Sequence, residues 1–138
     1  MSKDQLSELI GSWKLVSIVF TMSDNGETIC QPLSGFCTFD ADGRWTVVAV
    51  PSDLPAPTTD AERVTLFNRT IAFSGRCSVS GNRLTVKVDV AWNPAFHGSE
   101  LVRFVDLEGD RLIVTQPEWE HPFFNGRKTV VTVEWVRE

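Results

Sequence analysis

The chain has 138 residues, a formal net charge of −5 and 42% hydrophobic residues, which is typical of one soluble globular domain. The acidic balance and the lack of a lysine- and arginine-rich stripe argue against a nucleic-acid partner, because phosphate polymers would be repelled. No run of about 18 apolar residues is present, so the sequence predicts no membrane-spanning helix and no membrane partner.

Two features favour a cytoplasmic location. The segment from Met1 to Glu8 lacks the apolar stretch and small-residue cleavage site of a signal peptide. The three cysteines, Cys30, Cys37 and Cys77, are an odd number and cannot all pair, which suits a reducing compartment. We interpret them as small apolar side chains, and we expect a monomer or a homodimer.

A short helix is predicted at the start of the chain. Ser2 and Gln5 form the pattern of a capping box, and Leu6, Leu9 and Ile10 give the segment one apolar side.

Strand signals dominate the rest of the sequence. Runs rich in Val, Ile, Thr, Phe and Trp recur between turn residues. The segment from Leu84 to Trp92 alternates apolar and polar side chains, as in a half-buried strand. Pro32 and Gly35 predict a kink or bulge in the second strand. The strands are predicted at about 11–22, 27–40, 44–50, 70–80, 83–92, 100–108, 111–117 and 127–137.

A second short helix is predicted between the third and fourth of these strands. Thr59 and Glu62 have the spacing of a capping box, and Val64 and Phe67 lie one turn apart. The proline-rich lead-in 51–57 is stiff and not helical.

The connections between strands predict the architecture. The turns at 41–43, 80–82 and 108–110 are tight and contain glycine. In an up-and-down barrel they share one end, and the longer connections share the other end with the short turn 23–26. We therefore predict a single all-β domain, 1–138: an eight- or nine-stranded antiparallel up-and-down barrel with a closed bottom and a loop-rich mouth. A barrel of this size is filled by side chains or holds one small ligand.

Several motifs resemble a known family. Gly11 and Trp13, directly after the predicted helix, resemble the Gly-x-Trp signature of lipocalins and related calycin barrels. That resemblance implies that Trp13 lies at the barrel bottom with Arg137 packed over it in a cation–π contact. The family often carries a histidine where Val86 and Lys87 stand, so no strand-borne histidine role carries over. Nearly the whole chain resembles the single-domain bacterial and fungal lipocalin-like proteins, through segments 11–17, 43–45, 71–76, 98–103, 109–112 and 134–137.

Both histidines fall in predicted mouth loops. His97 and His121 can face each other across the opening with Glu118 or Glu120 nearby, which suggests a general acid–base pair acting on a bound ligand. A metal site would need both histidines and a carboxylate on rigid supports. Loop histidines that are simply solvated are the plainer alternative. We predict no metal and no cofactor.

Arg103 is the sharpest polar candidate. It shares a strand face with Leu101 and Val105, but Val102 and Phe104 make the opposite face apolar as well, so alternation alone is ambiguous. The family resemblance at 98–103 favours an inward Arg103. A buried guanidinium must be paired, and a ligand carboxylate, enolate or phenolate would do this. The alternatives are an internal salt bridge, or a surface arginine if the register shifts by one residue.

The predicted function is the binding of a small hydrophobic molecule in the lumen. The alternative is a cofactor-independent isomerase, cyclase or dehydratase acting on an apolar biosynthetic intermediate. Arg103 would then stabilise an oxyanion, and His97 or His121 would move the proton. A structural barrel filled by its own side chains is the third possibility. Convergent titratable groups in the lumen favour the enzyme, and an apolar lumen favours the carrier. The predicted ligand-binding residues are Trp45, Phe67, Phe73, Val88, Trp92, Phe96, Leu101, Arg103, Trp119 and Phe123.

Overall fold

A computed structural model describes residues 2–120, 124 and 126–138, with side chains from residue 6 onward. This part of the chain forms nine antiparallel strands, in the order β2-β1-β3-β4-β5-β6-β7-β8-β9, and β1 also pairs with β9 to close the barrel. The elements are α1 (Ser2–Leu9), β1 (Gly11–Met22), β2 (Thr28–Cys30), β3 (Leu33–Phe39), β4 (Arg44–Pro51), α2 (Asp60–Arg69), β5 (Ile71–Ser80), β6 (Arg83–Ala91), β7 (Glu100–Glu108), β8 (Arg111–Glu120) and β9 (Lys128–Arg137).

The predicted barrel is therefore confirmed, as eight closed strands with one short extra strand. The predicted strand 27–40 divides into β2 and β3 at Pro32, because proline has no backbone N–H to donate to a ladder. Gly35, in contrast, lies within a continuous β3, where an added Cβ would come within 2.3 Å of the Val48 carbonyl oxygen. Glycine there permits close approach of two strands rather than a break.

Trp13 and Arg137 close the bottom of the barrel as the resemblance implied. The Trp13 side chain is fully buried, and its indole N–H donates to the Leu9 carbonyl over 2.9 Å. The Arg137 guanidinium lies 4.2 Å from the ring centroid and donates to the carbonyls of Glu8 and Ile10. The last turn of α1 is thus fixed to β1 through Trp13 and to β9 through Arg137.

The second helix begins as predicted. The Thr59 side chain accepts a hydrogen bond from the Glu62 amide, and the Glu62 carboxylate accepts one from the Thr59 amide, which is the reciprocal capping box. None of its residues is buried, so α2 lies on the barrel instead of filling it. An ion pair between Arg69 and Asp53 at 2.9 Å holds its last turn. The side chains of the cap predicted for α1 lie outside the described ones.

The long connections after β4 and β6 meet at one end of the barrel. Phe67 of α2 lies 6.1 Å from Trp92 after β6, measured between ring centroids. Phe96, in a 3₁₀ turn at Pro94–Phe96, lies 6.3 Å from Trp119 of β8. The connections after β4 and β6 therefore meet each other and the end of β8, as the alternation of loops predicted. Among the described residues, no helix is long and apolar enough to cross a membrane.

Candidate ligand site in the barrel mouth

Two chambers follow one another inside the barrel. The mouth chamber has a volume of about 140 Å³, and a smaller inner chamber of about 70 Å³ lies next to it. Among the described residues, the side chains that line both chambers form what we call the waist: Ile71, Phe73, Arg103 and Gln116. The other described residues of the inner chamber are apolar or aromatic and come from β1, β4, β8 and β9.

The wall of the mouth chamber is largely aromatic. Phe67, Trp92, Phe96 and Trp119 follow one another as neighbouring rings, with Trp92 and Phe96 stacked at a centroid distance of 5.3 Å. The Trp92 indole N–H donates to the Phe67 carbonyl over 3.0 Å, and this hydrogen bond holds the segment between β6 and β7 against α2. Apolar walls with a few polar groups are typical of small-molecule pockets.

Arg103 provides the charge at the waist. Its neighbour across the ladder, Leu84, is fully buried. Directly opposed residues point to the same face of a sheet, so Arg103 faces the interior. Its guanidinium donates to the adjacent Val102 carbonyl over 3.0 Å. Within the described part of the chain, no carboxylate lies within 4.0 Å of it, whereas Arg44, Arg69 and other arginines form surface ion pairs.

The environment of Arg103 changes its proton affinity. The residue as a whole is only partly buried, but its side chain lies deep enough that burial lowers its pKa to about 10. Desolvation penalises the charged form, and no neighbouring charge among the described residues offsets it. The group nonetheless stays protonated near neutral pH, with most of its five N–H donors available to a ligand.

Gln116 reaches the site through the regular alternation of β8, and Trp119 reaches it through a bulge. Leu112 and Val114 are buried on the inner face, and regular alternation brings Gln116 inward next. The pairing of β8 with β9 then shifts between Gln116 and Trp119. This extra residue turns Trp119, rather than Glu118, toward the mouth chamber.

Most of the predicted ligand-binding residues line one chamber or both. The mouth chamber is lined by Phe67, Phe73, Trp92, Phe96, Leu101, Arg103 and Trp119, and Trp45 lines the inner chamber. Val88 is buried, at 1% exposure, but it lines neither chamber. Phe123 lies outside the described residues.

The structure describes only one of the two histidines that the sequence suggested as an acid–base pair. His97 follows the 3₁₀ turn, where its amide donates to the Pro94 carbonyl. Its side chain is exposed and is not part of either chamber wall. His121 lies outside the described residues. Glu118 and Glu120 are exposed. Their proposed roles in acid–base or metal chemistry stay predictions.

Sequence reasoning did not include several polar residues of the site. Asn68, Asn93 and Gln116 line the mouth chamber. The Asn93 side chain accepts a hydrogen bond from the Ala95 amide over 3.0 Å and so is held in place. Of the three, only Gln116 carried a usable signal, because it continues the inward period of Leu112 and Val114.

A closed antiparallel barrel of eight strands, with a plugged bottom and an aromatic mouth, defines the class of small barrels that have room for one ligand. The chain belongs to the lipocalin-like domain family, which matches residues 10–137. It has no significant match among curated proteins.

Proposed function

We propose that this protein binds a small apolar molecule carrying an acidic oxygen, with the apolar part in the mouth chamber and the oxygen on Arg103. The observation that carries the proposal is the inward guanidinium, which has no carboxylate partner among the described residues and lies between apolar walls. Membership of a lipocalin-like family supports the coarser statement that the lumen takes a small hydrophobic ligand.

Desolvation makes the Arg103 charge costly. Arginine cannot neutralise itself at physiological pH, so a buried guanidinium without a counter-charge lowers stability. A ligand carboxylate, enolate or phenolate would accept two parallel hydrogen bonds from its planar fork. Arg103 would then contribute to both affinity and selectivity, because a neutral ligand of the same shape leaves the charge unpaired.

The composition of the chamber walls favours binding over catalysis. Arg103 is the only titratable residue among the described ones that line either chamber. Acid–base isomerisation needs a group that gains or loses a proton near neutral pH, and an arginine with a pKa of about 10 is a poor one. We therefore propose a carrier of a small molecule. The net charge of −5 and the lack of a long apolar run are the reasons for which we propose no nucleic-acid or membrane partner.

The cysteines support a cytoplasmic location. In the described structure, Cys30, Cys37 and Cys77 are free thiols, and Cys30 is exposed. Exposed free thiols suit a reducing compartment.

The test compares benzoate with methyl benzoate by NMR titration of the wild type and of Arg103→Leu. We expect the variant to lose roughly 10- to 150-fold in benzoate affinity, corresponding to about 1.5–3 kcal/mol for a hydrogen bond to a charged group, and less than about twofold for the ester. Arg63→Leu is the matched control, because Arg63 lies on α2 with an exposed ion pair to Asp60. Equal losses for acid and ester, or no loss for either, would refute the role of Arg103.

A further inference from the structure

The waist separates two spaces of different capacity. The mouth chamber, at about 140 Å³, is close to the roughly 150 Å³ of an apolar protein cavity that takes up benzene. The inner chamber, at about 70 Å³, has half that volume. A six-membered ring therefore fits the mouth chamber and is too large for the inner one.

Phe73 is the fixed part of the waist. Its ring meets the Trp45 ring edge-on, at a centroid distance of 5.5 Å and an angle of 87°. Trp45 in turn stacks on Phe39 at 5.3 Å, and both of these rings are buried. Phe73 therefore rests on one buried ring that is itself backed by another, and it cannot shift toward them without disturbing the core. This makes Phe73 the floor of the mouth chamber.

The charge lies at the inner end of the mouth chamber. Arg103 is at the waist, whereas aromatic rings and the neutral amides of Asn68 and Asn93 line the outer space. A ligand that places its acidic group on Arg103 and its apolar body against the rings is oriented with the acid inward. In the opposite orientation, an apolar tail would have to fit the smaller inner chamber.

We infer that the ligand is a short organic acid with a single ring or about six carbons, seated acid-first at the waist, and that Phe73 sets this size limit. The inference rests on the proposed function, and it adds the class of acid and the residue that selects it. Long-chain fatty acids are disfavoured as ligands, because the described residues enclose only the length of chain that the mouth chamber holds.

A homologous series of straight-chain carboxylates from four to twelve carbons tests the size limit. Each methylene buried in an apolar site raises affinity by roughly fourfold. For the wild type we expect affinity to rise by this factor with each carbon up to about six carbons. Beyond six carbons, affinity should change less than twofold per added carbon. Benzoate should bind at least as tightly as hexanoate. NMR titration or competition against a fluorescent acid gives the dissociation constants.

Phe73→Ala is the decisive variant, because it removes the side chain that closes the inner chamber. Because Arg103 lines both chambers, the acid end can then move inward and stay on the guanidinium. The added inner volume is half of the mouth volume, so we expect the rise to continue for about three further carbons. Phe73→Leu, which removes less of the waist and preserves folding better, should shift the limit in the same direction by about one carbon. Phe36→Ala is the matched control, because Phe36 is 43% exposed and lies outside the chambers; it should leave the series unchanged.

The possible failures are distinguishable. If wild-type affinity continues to rise about fourfold per carbon to twelve carbons, or if neither Phe73 variant moves the limit, the size inference is wrong. The proposed function would stand in that case, provided that Arg103→Leu still weakens every acid. If the acids bind without any dependence on Arg103, or do not bind, both proposals fail.

Discussion

Replacing Trp13 with alanine removes the side chain that closes the barrel bottom. The residue is fully buried, and truncating a buried tryptophan costs about 3–5 kcal/mol through lost transfer free energy and the cavity that remains. The Leu9 carbonyl also loses the indole donor that it meets at 2.9 Å, and the Arg137 guanidinium loses the ring 4.2 Å away. We therefore expect a value in the upper half of that range.

Thermal and urea unfolding followed by far-ultraviolet circular dichroism provide the assay. For a domain of this length, 1 kcal/mol corresponds to a shift in melting temperature of roughly 3–4 °C, so Trp13→Ala should melt about 12–20 °C below the wild type. Val16→Ala is the control on the same strand, because Val16 is 51% exposed and should change stability by no more than about 0.5 kcal/mol. A melting temperature for Trp13→Ala within a few degrees of that control would show that the bottom plug contributes little to folding.

Two further predictions concern backbone packing and a buried thiol. Gly75→Ala should destabilise the barrel severely, because an added Cβ would meet the Lys87 carbonyl oxygen at 2.1 Å. Ser78→Ala, on the exposed side of β5, is the control and should be nearly neutral. Equal urea midpoints for the two variants would contradict the prediction. Burial raises the pKa of the Cys37 thiol from 9.0 to about 12, so the unfolded chain ionises first and stability should fall as pH rises from about 9 toward 12. Cys37→Ala should show a weaker fall in urea melts between pH 8 and pH 10, and alkylation of the native protein should modify the exposed Cys30 well before Cys37.

Strand positions and the two ends of the barrel were determined by local sequence. Glycine in the tight turns, alternation in β6 and the capping box at Thr59 each act over a few residues, so they can be read without knowing what packs against them. The irregularity at Pro32 belongs to the same group, because proline has no N–H to donate to a ladder, although the sequence predicted a kink or bulge there and not two separate strands. The plug of Trp13 and Arg137 joins opposite ends of the chain, and only the family resemblance pointed to it.

The site itself required the tertiary structure. Both faces of β7 are apolar in sequence, and Arg103 faces inward because its register places it opposite the buried Leu84. Trp119 turns into the mouth because β8 has a bulge after Gln116, which reverses the alternation that the sequence suggests. Strand register and bulges depend on pairing with distant segments, and a shift of one residue exchanges the two faces of a strand. Sequence therefore determined which strands form, and only their pairing decided which side chains face the ligand.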